Sequence, residues 1–261
     1  MLRRAAVIAG LAHAVAAVAA SEPPAGFAGD WIVTQVAVDR ADPQNWVFKP
    51  QDDRLLNRVM TVGGGGRLSF NLTAEACDQV TWIRQPRARL SVVVARSFAR
   101  GPRGSGRKRP TPADFGLKFA DIPLDPFVAR CPAAGHDAPA RWGNAAWFAM
   151  LDASHLGVAY DSDTVLVLER LAAGAPVRPS FDCAKAASPA ETSICSSQSL
   201  AGYDRSIAAV YRRLLADADA ATRPKLEQEQ RAWLATREAC KSDERCLTDN
   251  MVDRLGLLVQ R

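Results

Sequence analysis

The chain has 261 residues, six cysteines and a formal charge of +5, with 48% of its residues hydrophobic. That length suffices for one large or two ordinary domains, each burying its own core. Beyond the first 20 residues no apolar run of about 18 occurs, which excludes a membrane-spanning helix in the remainder.

The opening MLRRAAVIAGLAHAVAAVAA has Arg3 and Arg4 ahead of an Ala/Val-rich run that ends in small residues. It reads as a signal peptide over residues 1–20, cut after Ala19 or Ala20. The chain is thus expected in a bacterial periplasm or secreted medium, without a transmembrane segment once processed. Removing 20 residues leaves 241 and takes two arginines away, so the charge falls from +5 to +3.

Residues 26–172 alternate short apolar runs with turn signals. WIVTQVAVD (31–39), NRVMTV (57–62), RLSFNL (67–72), QVTWI (79–83) and LSVVVARSF (90–98) have strand patterns, as do FGLKF (115–119), AAWFAML (145–151), HLGVAY (155–160) and TVLVLERL (164–171). Gly63 to Gly66 suit a hairpin connection; Arg67 and Leu68 follow where a phosphate loop would need lysine and Ser/Thr. So many strands in one stretch imply an antiparallel β-barrel or sandwich. FAGDW at 27–31 resembles the G-x-W opening of lipocalin-like barrels, and that resemblance implies that Arg170 on the last strand covers Trp31.

Cys77 and Cys131 are the cysteines of this half, and in an oxidising compartment they are expected to pair. Between Gln79 and Ala113 stand nine basic residues and no acidic one. The loop ARGPRGSGRKRP (99–110) concentrates Arg100, Arg103, Arg107, Lys108 and Arg109, candidates for docking an anionic envelope component: a lipid, a wall fragment or an acidic partner. Its alternative is a solvated hairpin tip. Nucleic acid is excluded as partner, because export removes the chain from it and no aromatics interleave the charges for stacking.

Residues 173–180, rich in Ala, Gly and Pro, suit a linker. From Phe181 onward 12 basic and 12 acidic residues balance. Ser188, Pro189 and Glu191 form a capping-box pattern that starts a short helix carrying Ile194 and Cys195. Leu200, Tyr203, Ile207, Val210, Tyr211 and Leu214 then recur at helical spacing. A third helix runs from Thr222 and Pro224 through Trp233 to Cys240, and a fourth carries Cys246, Leu247, Met251, Leu255 and Leu258. Residues 181–261 are therefore expected to form a helical hairpin or small bundle, giving an all-β plus all-α chain.

Four cysteines lie in this half at intervals of 12 and 6 around the helices, with no histidine. Zinc sites use close pairs such as C-x-x-C, so neither a metal nor another cofactor is expected. Of the three possible pairings, Cys183–Cys195 and Cys240–Cys246 are favoured. Gln230, Trp233 and Arg237 share one helical face, and Asp204 is placed to meet Arg237 across the bundle.

FDCAKAASPAETSIC, LAGYDRSIAAVYRRLL and EQRAWLATREAC together resemble the LprI-type family of secreted helical domains over residues 181 to about 255. Matching positions include Asp182, Cys183, Glu191, Cys195, Asp204, Tyr211, Gln230, Arg231, Trp233, Arg237 and Cys240. Tyr203 departs from the family, which has an aliphatic residue there. The resemblance implies a non-catalytic inhibitor of lysozyme-like muramidases. Asp204, Tyr211, Gln230, Trp233 and Arg237 are candidates for a partner-binding face, with a structural salt bridge and core tryptophan as the favoured alternative. No enzyme is expected: Asp152, Ser154 and His155 stand too near in sequence for a triad, and no carboxylate pair suits glycosidase work.

Overall fold

A computed structural model describes residues 22–41, 47–70, 75–98, 109–131, 146–160 and 164–261. Residues 1–20, expected as the export signal, and Arg100, Arg103, Arg107 and Lys108 lie outside the described residues. Arg109 lies within them and is exposed.

Eleven strands are described: β1 (Gly29–Val38), β2 (Val59–Val62), β3 (Leu68–Phe70), β4 (Glu75–Cys77), β5 (Thr81–Arg84), β6 (Ala88–Arg89), β7 (Pro123–Leu124), β8 (Phe127–Arg130), β9 (Trp147–Met150), β10 (His155–Tyr160) and β11 (Thr164–Arg170). Nine of them form one antiparallel sheet in the order β4-β3-β2-β1-β11-β10-β9-β8-β5, while β6 and β7 pair separately. The glycine run turns β2 into β3: Val62 faces Leu68, the Gly63 N–H donates to the Arg67 carbonyl at 2.8 Å, and Gly65 takes a φ of +66°. Positive φ carries no steric penalty in glycine.

The sheet is curled. Seven inter-strand steps separate β4 from β8 in that order, about 34 Å if the sheet were flat at 4.8 Å per step. Cys77 in β4 and Cys131 just after β8 are nonetheless disulfide-bonded, with Cα atoms 5.8 Å apart. One cluster drawing on nearly every strand fills the inside, including Trp31, Met60, Phe70, Phe148, Tyr160 and Leu168. Its aromatic rings meet edge to face, Phe27 on Trp82 at 5.5 Å, Trp82 on Phe148 at 5.2 Å and Phe70 on Tyr160 at 5.6 Å. Such geometry sets ring edges against the negative faces. The half-barrel is thus filled with side chains. At its end the Arg170 guanidinium lies 4.1 Å from the centre of the Trp31 ring and donates to the carbonyls of Ala28 and Gly26, while Trp31 Nε1 donates to Phe27 O at 2.8 Å. The likeness to a lipocalin rests on this geometry and the half-barrel alone.

Two expected strands are not strands. LSVVVARSF folds as helix α1 (Leu90–Ser97). The reason is tertiary: Leu90, Val93 and Val94, spaced for a helical face, pack on the outer side of β9–β11 with Trp147, Ala159, Val165 and Val167. The Asp121 carboxylate receives the Ser91 N–H at 2.8 Å and its hydroxyl at 3.0 Å, supplying an acceptor at the helix start. FGLKF is a turn, because Asp114 accepts the Thr111 N–H and hydroxyl at 2.7 and 2.8 Å and Gly116 takes a φ of +68°. Its Phe115 and Leu117 still bury against α1. Strands β4, β6, β7 and β8, two to four residues long, are not among the expected strand patterns.

The remaining helices are α2 (Pro189–Ser196), α3 (Gln198–Asp217), α4 (Arg223–Ala239) and α5 (Glu244–Val259). The capping box of α2 is complete: Ser188 Oγ accepts the Glu191 N–H at 3.1 Å, and Glu191 accepts the Ser188 N–H at 3.3 Å. Cys183–Cys195 ties the preceding segment to α2, and Cys240–Cys246 spans the turn between α4 and α5. Residues 171–182 have no helix or strand, but Val177 and Phe181 pack on the helical core. No described helix is long and apolar enough to cross a membrane.

Cys77–Cys131 joins residues 54 apart, which on the chain-entropy account is worth about 4 kcal/mol. Replacing both cysteines with serine is expected to lower unfolding stability by a few kcal/mol in urea titrations; an unchanged midpoint would show that the curl needs no covalent tie.

Candidate partner-binding face of the helical region

The positions that the sequence brings forward do come together. Trp233 and Arg237 sit one turn apart on α4, and Asp204 of α3 faces them, its Oδ1 3.7 Å from Arg237 Nη1. Asp204 Oδ2 also accepts the Ser180 N–H, pinning the segment before α2 to α3. Arg237 donates through Nε and Nη2 to Glu238 Oε1 at 3.1 and 2.7 Å. Burial pushes the Glu238 carboxyl up, but bonds from Ser188 and Arg237 outweigh it and hold the group below the ordinary carboxylate range.

Arg254 on α5 completes the group, and sequence reasoning missed it. Its Nε and Nη2 donate to Gln230 Oε1 at 3.3 and 2.8 Å. Its guanidinium lies 5.7 Å from the centre of the Trp233 ring, which Arg237 approaches at 5.6 Å, so two cations stand near the indole. Burial lowers the Arg254 pKa, with Glu229 opposing. A signal existed in the sequence: Leu247, Met251, Arg254 and Leu258 share one spacing, so an arginine occupies a core position of an apolar stripe.

Exposure separates the candidates. Asp204 and Arg237 are 5% exposed and Trp233 9%, so they hold α3, α4 and α5 together and present little to a partner. Gln230 and Tyr211 are half-buried and reach the surface. Burial and Glu227 raise the Tyr211 pKa, against the pull of Arg231, Arg254 and Arg223, so its hydroxyl stays protonated and can donate near neutral pH.

Elsewhere, Asp152, Ser154 and His155 form a turn and no triad. Asp152 Oδ1 accepts the backbone N–H groups of Ser154 and His155, each at 2.8 Å. Asp152 and Ser154 both meet the same ring nitrogen, His155 Nδ1, at 2.8 and 3.2 Å. A relay needs nucleophile and carboxylate on opposite ring nitrogens. Burial raises the Asp152 carboxyl, yet the bonds from Ser154 and His155 prevail and keep it low. Among the described residues no cluster of three or more His, Cys, Asp or Glu could hold a metal. An open groove of about 430 Å³ lies beside the half-barrel, lined by Phe27, Ile122, Pro123, Phe127 and Met150 with Arg84 and Asp125 at its edge.

Residues 183–257, under a third of the chain, match the family model described as lysozyme inhibitor LprI. No curated protein and no solved structure matches the chain.

Asp204→Ala removes one of the two carboxylates beside a buried arginine and the acceptor of Ser180. It is expected to destabilise the helical region by about 3 kcal/mol, read as an earlier thermal transition in circular dichroism at 222 nm. Tyr211→Phe, which removes only a hydroxyl at a half-buried position, should shift that transition far less; equal losses would contradict the division between packing and surface roles.

Proposed function

We propose that this chain is an exported, non-catalytic binding protein that inhibits lysozyme-like muramidases by occluding their cleft with its helical unit. The observation that carries the reading is the family match over residues 183–257, where Cys183–Cys195 and the α2 capping box form the scaffold. The proposed organisation is a signal peptide at 1–20, a β unit at 26–172, a linker at 173–180 and a helical unit at 181–261. Three disulfides support a location outside the cytoplasm, since such bonds persist in oxidising compartments.

In this reading Gln230 and Tyr211 are the members of the polar group that touch the partner, while Asp204, Trp233 and Arg237 hold the helices that present them. The helical unit carries no net charge, so long-range steering contributes little and short-range fit decides affinity. A second reading is favoured by the groove at Phe27, Ile122 and Met150, which would suit a small apolar envelope ligand on the β unit.

In a turbidity assay with a lysozyme on bacterial walls, the processed full chain is expected to slow clearing in proportion to its amount and to saturate at one equivalent. It should release no muropeptides by itself. Unimpeded clearing at micromolar excess of the chain would retire the inhibitor reading.

A further inference from the structure

The β region drives a charged side chain into the helical region. Arg58, beside the start of β2, is fully buried. Its Nη2 donates to Gly202 O and to Ser206 Oγ, both at 2.8 Å, and its Nε to Leu56 O at 3.1 Å. The guanidinium carbon stands 3.6 Å from the centre of the Tyr203 ring. Among the described residues Arg58 forms no ion pair with a carboxylate. Burial therefore pulls its pKa down to about 10, against the opposing influence of Tyr203 and Asp53, while Arg205 adds to the fall.

A buried cation without a counterion is costly, and a packed apolar residue would be cheaper. What the arginine adds is shape: one prong of its planar fork, Nη2, reaches both acceptors of α3 and Nε reaches the Leu56 carbonyl, while the plane stacks on a ring and Nη1 has no hydrogen-bond partner among the described residues. The groups that receive Nη2 and the guanidinium plane, Gly202 O, Ser206 Oγ and the Tyr203 ring, all belong to one turn of α3. The backbone is matched to the same contact. A Cβ at Gly202 would lie 2.1 Å from Asn57 O, so the loop can approach only a bare glycine. Asn57 takes a φ of +64°, a conformation asparagine tolerates, and its Nδ2 donates to Ser206 Oγ at 3.3 Å while its Oδ1 accepts from Arg205 Nε at 3.2 Å. Around the rim, Asp53 pairs with Arg213.

We propose that α3 carries an arginine-receiving site built from Gly202, Tyr203 and Ser206, filled in cis by Arg58, and that this contact is an autoinhibitory latch. While Arg58 is seated, the β region covers this face of α3. An arginine side chain from a protein partner enters the site only after Arg58 leaves. This goes beyond the inhibitor reading and is tested without any lysozyme.

The test compares the full chain with Arg58→Ala, using methylguanidinium as the probe. Arg58→Ala is expected to melt several degrees earlier and to be cut faster by elastase at the exposed Ala172 and Ala173 between the two regions. Millimolar methylguanidinium should bind the variant saturably at one equivalent, raise its melting temperature and slow the cut, with no effect on the parent chain. Methylammonium, which has the charge without the fork, should do neither. Rescue by both cations alike, rescue that survives the further change Tyr203→Ala, or the absence of saturable binding would overturn the proposal. Should Arg58→Ala fail to fold, Arg58→Lys decides: a lower melting temperature supports the site, and a parent-like one refutes it.

Discussion

The first half of α3 has to be buried on two sides at once, and the arrangement of the molecule follows from that. Leu200, Ile207 and Val210 turn toward the helical core, with Asp204 placed to meet Arg237. Gly202, Tyr203 and Ser206 meet Leu56, Asn57 and Arg58 of the β region. A helix covered on both sides cannot keep a simple polar face, and its small residues mark the close approach. The role of Tyr203 is physical here: it sets a ring face against the Arg58 guanidinium, which an aliphatic side chain could not do.

The β region solves a different problem. A long open sheet exposes edges that could pair with other chains. Here the edge strand β4 is bonded through Cys77 to the far end of the sheet at Cys131, and the inside of the curl is packed with aromatic and aliphatic side chains. The outer face of β9–β11 is covered in turn by α1. Burial on both faces explains why β10 and β11 are nearly continuous apolar runs, a pattern that antiparallel strands lose when one face is wet.

The polar residues of the helical region share one logic. Each buried charge finds its complement close by: Asp204 and Glu238 beside Arg237, Gln230 beside Arg254, and the Trp233 ring near both arginines. Such a network is favourable when it is well paired and fixes how the helices sit against one another. It also leaves few of its members available to a partner. Surface recognition then falls to the half-buried Gln230 and Tyr211 and to the helix faces around them.

Local chemistry was legible in the sequence by itself. The capping box at Ser188 and Glu191, the glycine turn at 63–66 and the helical spacing of α3 to α5 depend on neighbours a few residues away, so their physics is written in short stretches of chain. The meeting of Asp204 with Arg237 could be anticipated because two amphipathic helices offer few ways to pair. Tertiary structure decided what depends on distant partners. SVVV at 91–94 has apolar residues that either a strand or a helix can use, and only the Asp121 carboxylate and the outer face of the sheet select the helix. The apolar stripe of α5 marks Arg254 as inward-facing but does not say what receives it, and no local pattern reveals the burial of Arg58, since the acceptors and rings that tolerate both lie on other elements. A buried charge is fixed by what surrounds it in space, and sequence order alone does not encode that surrounding.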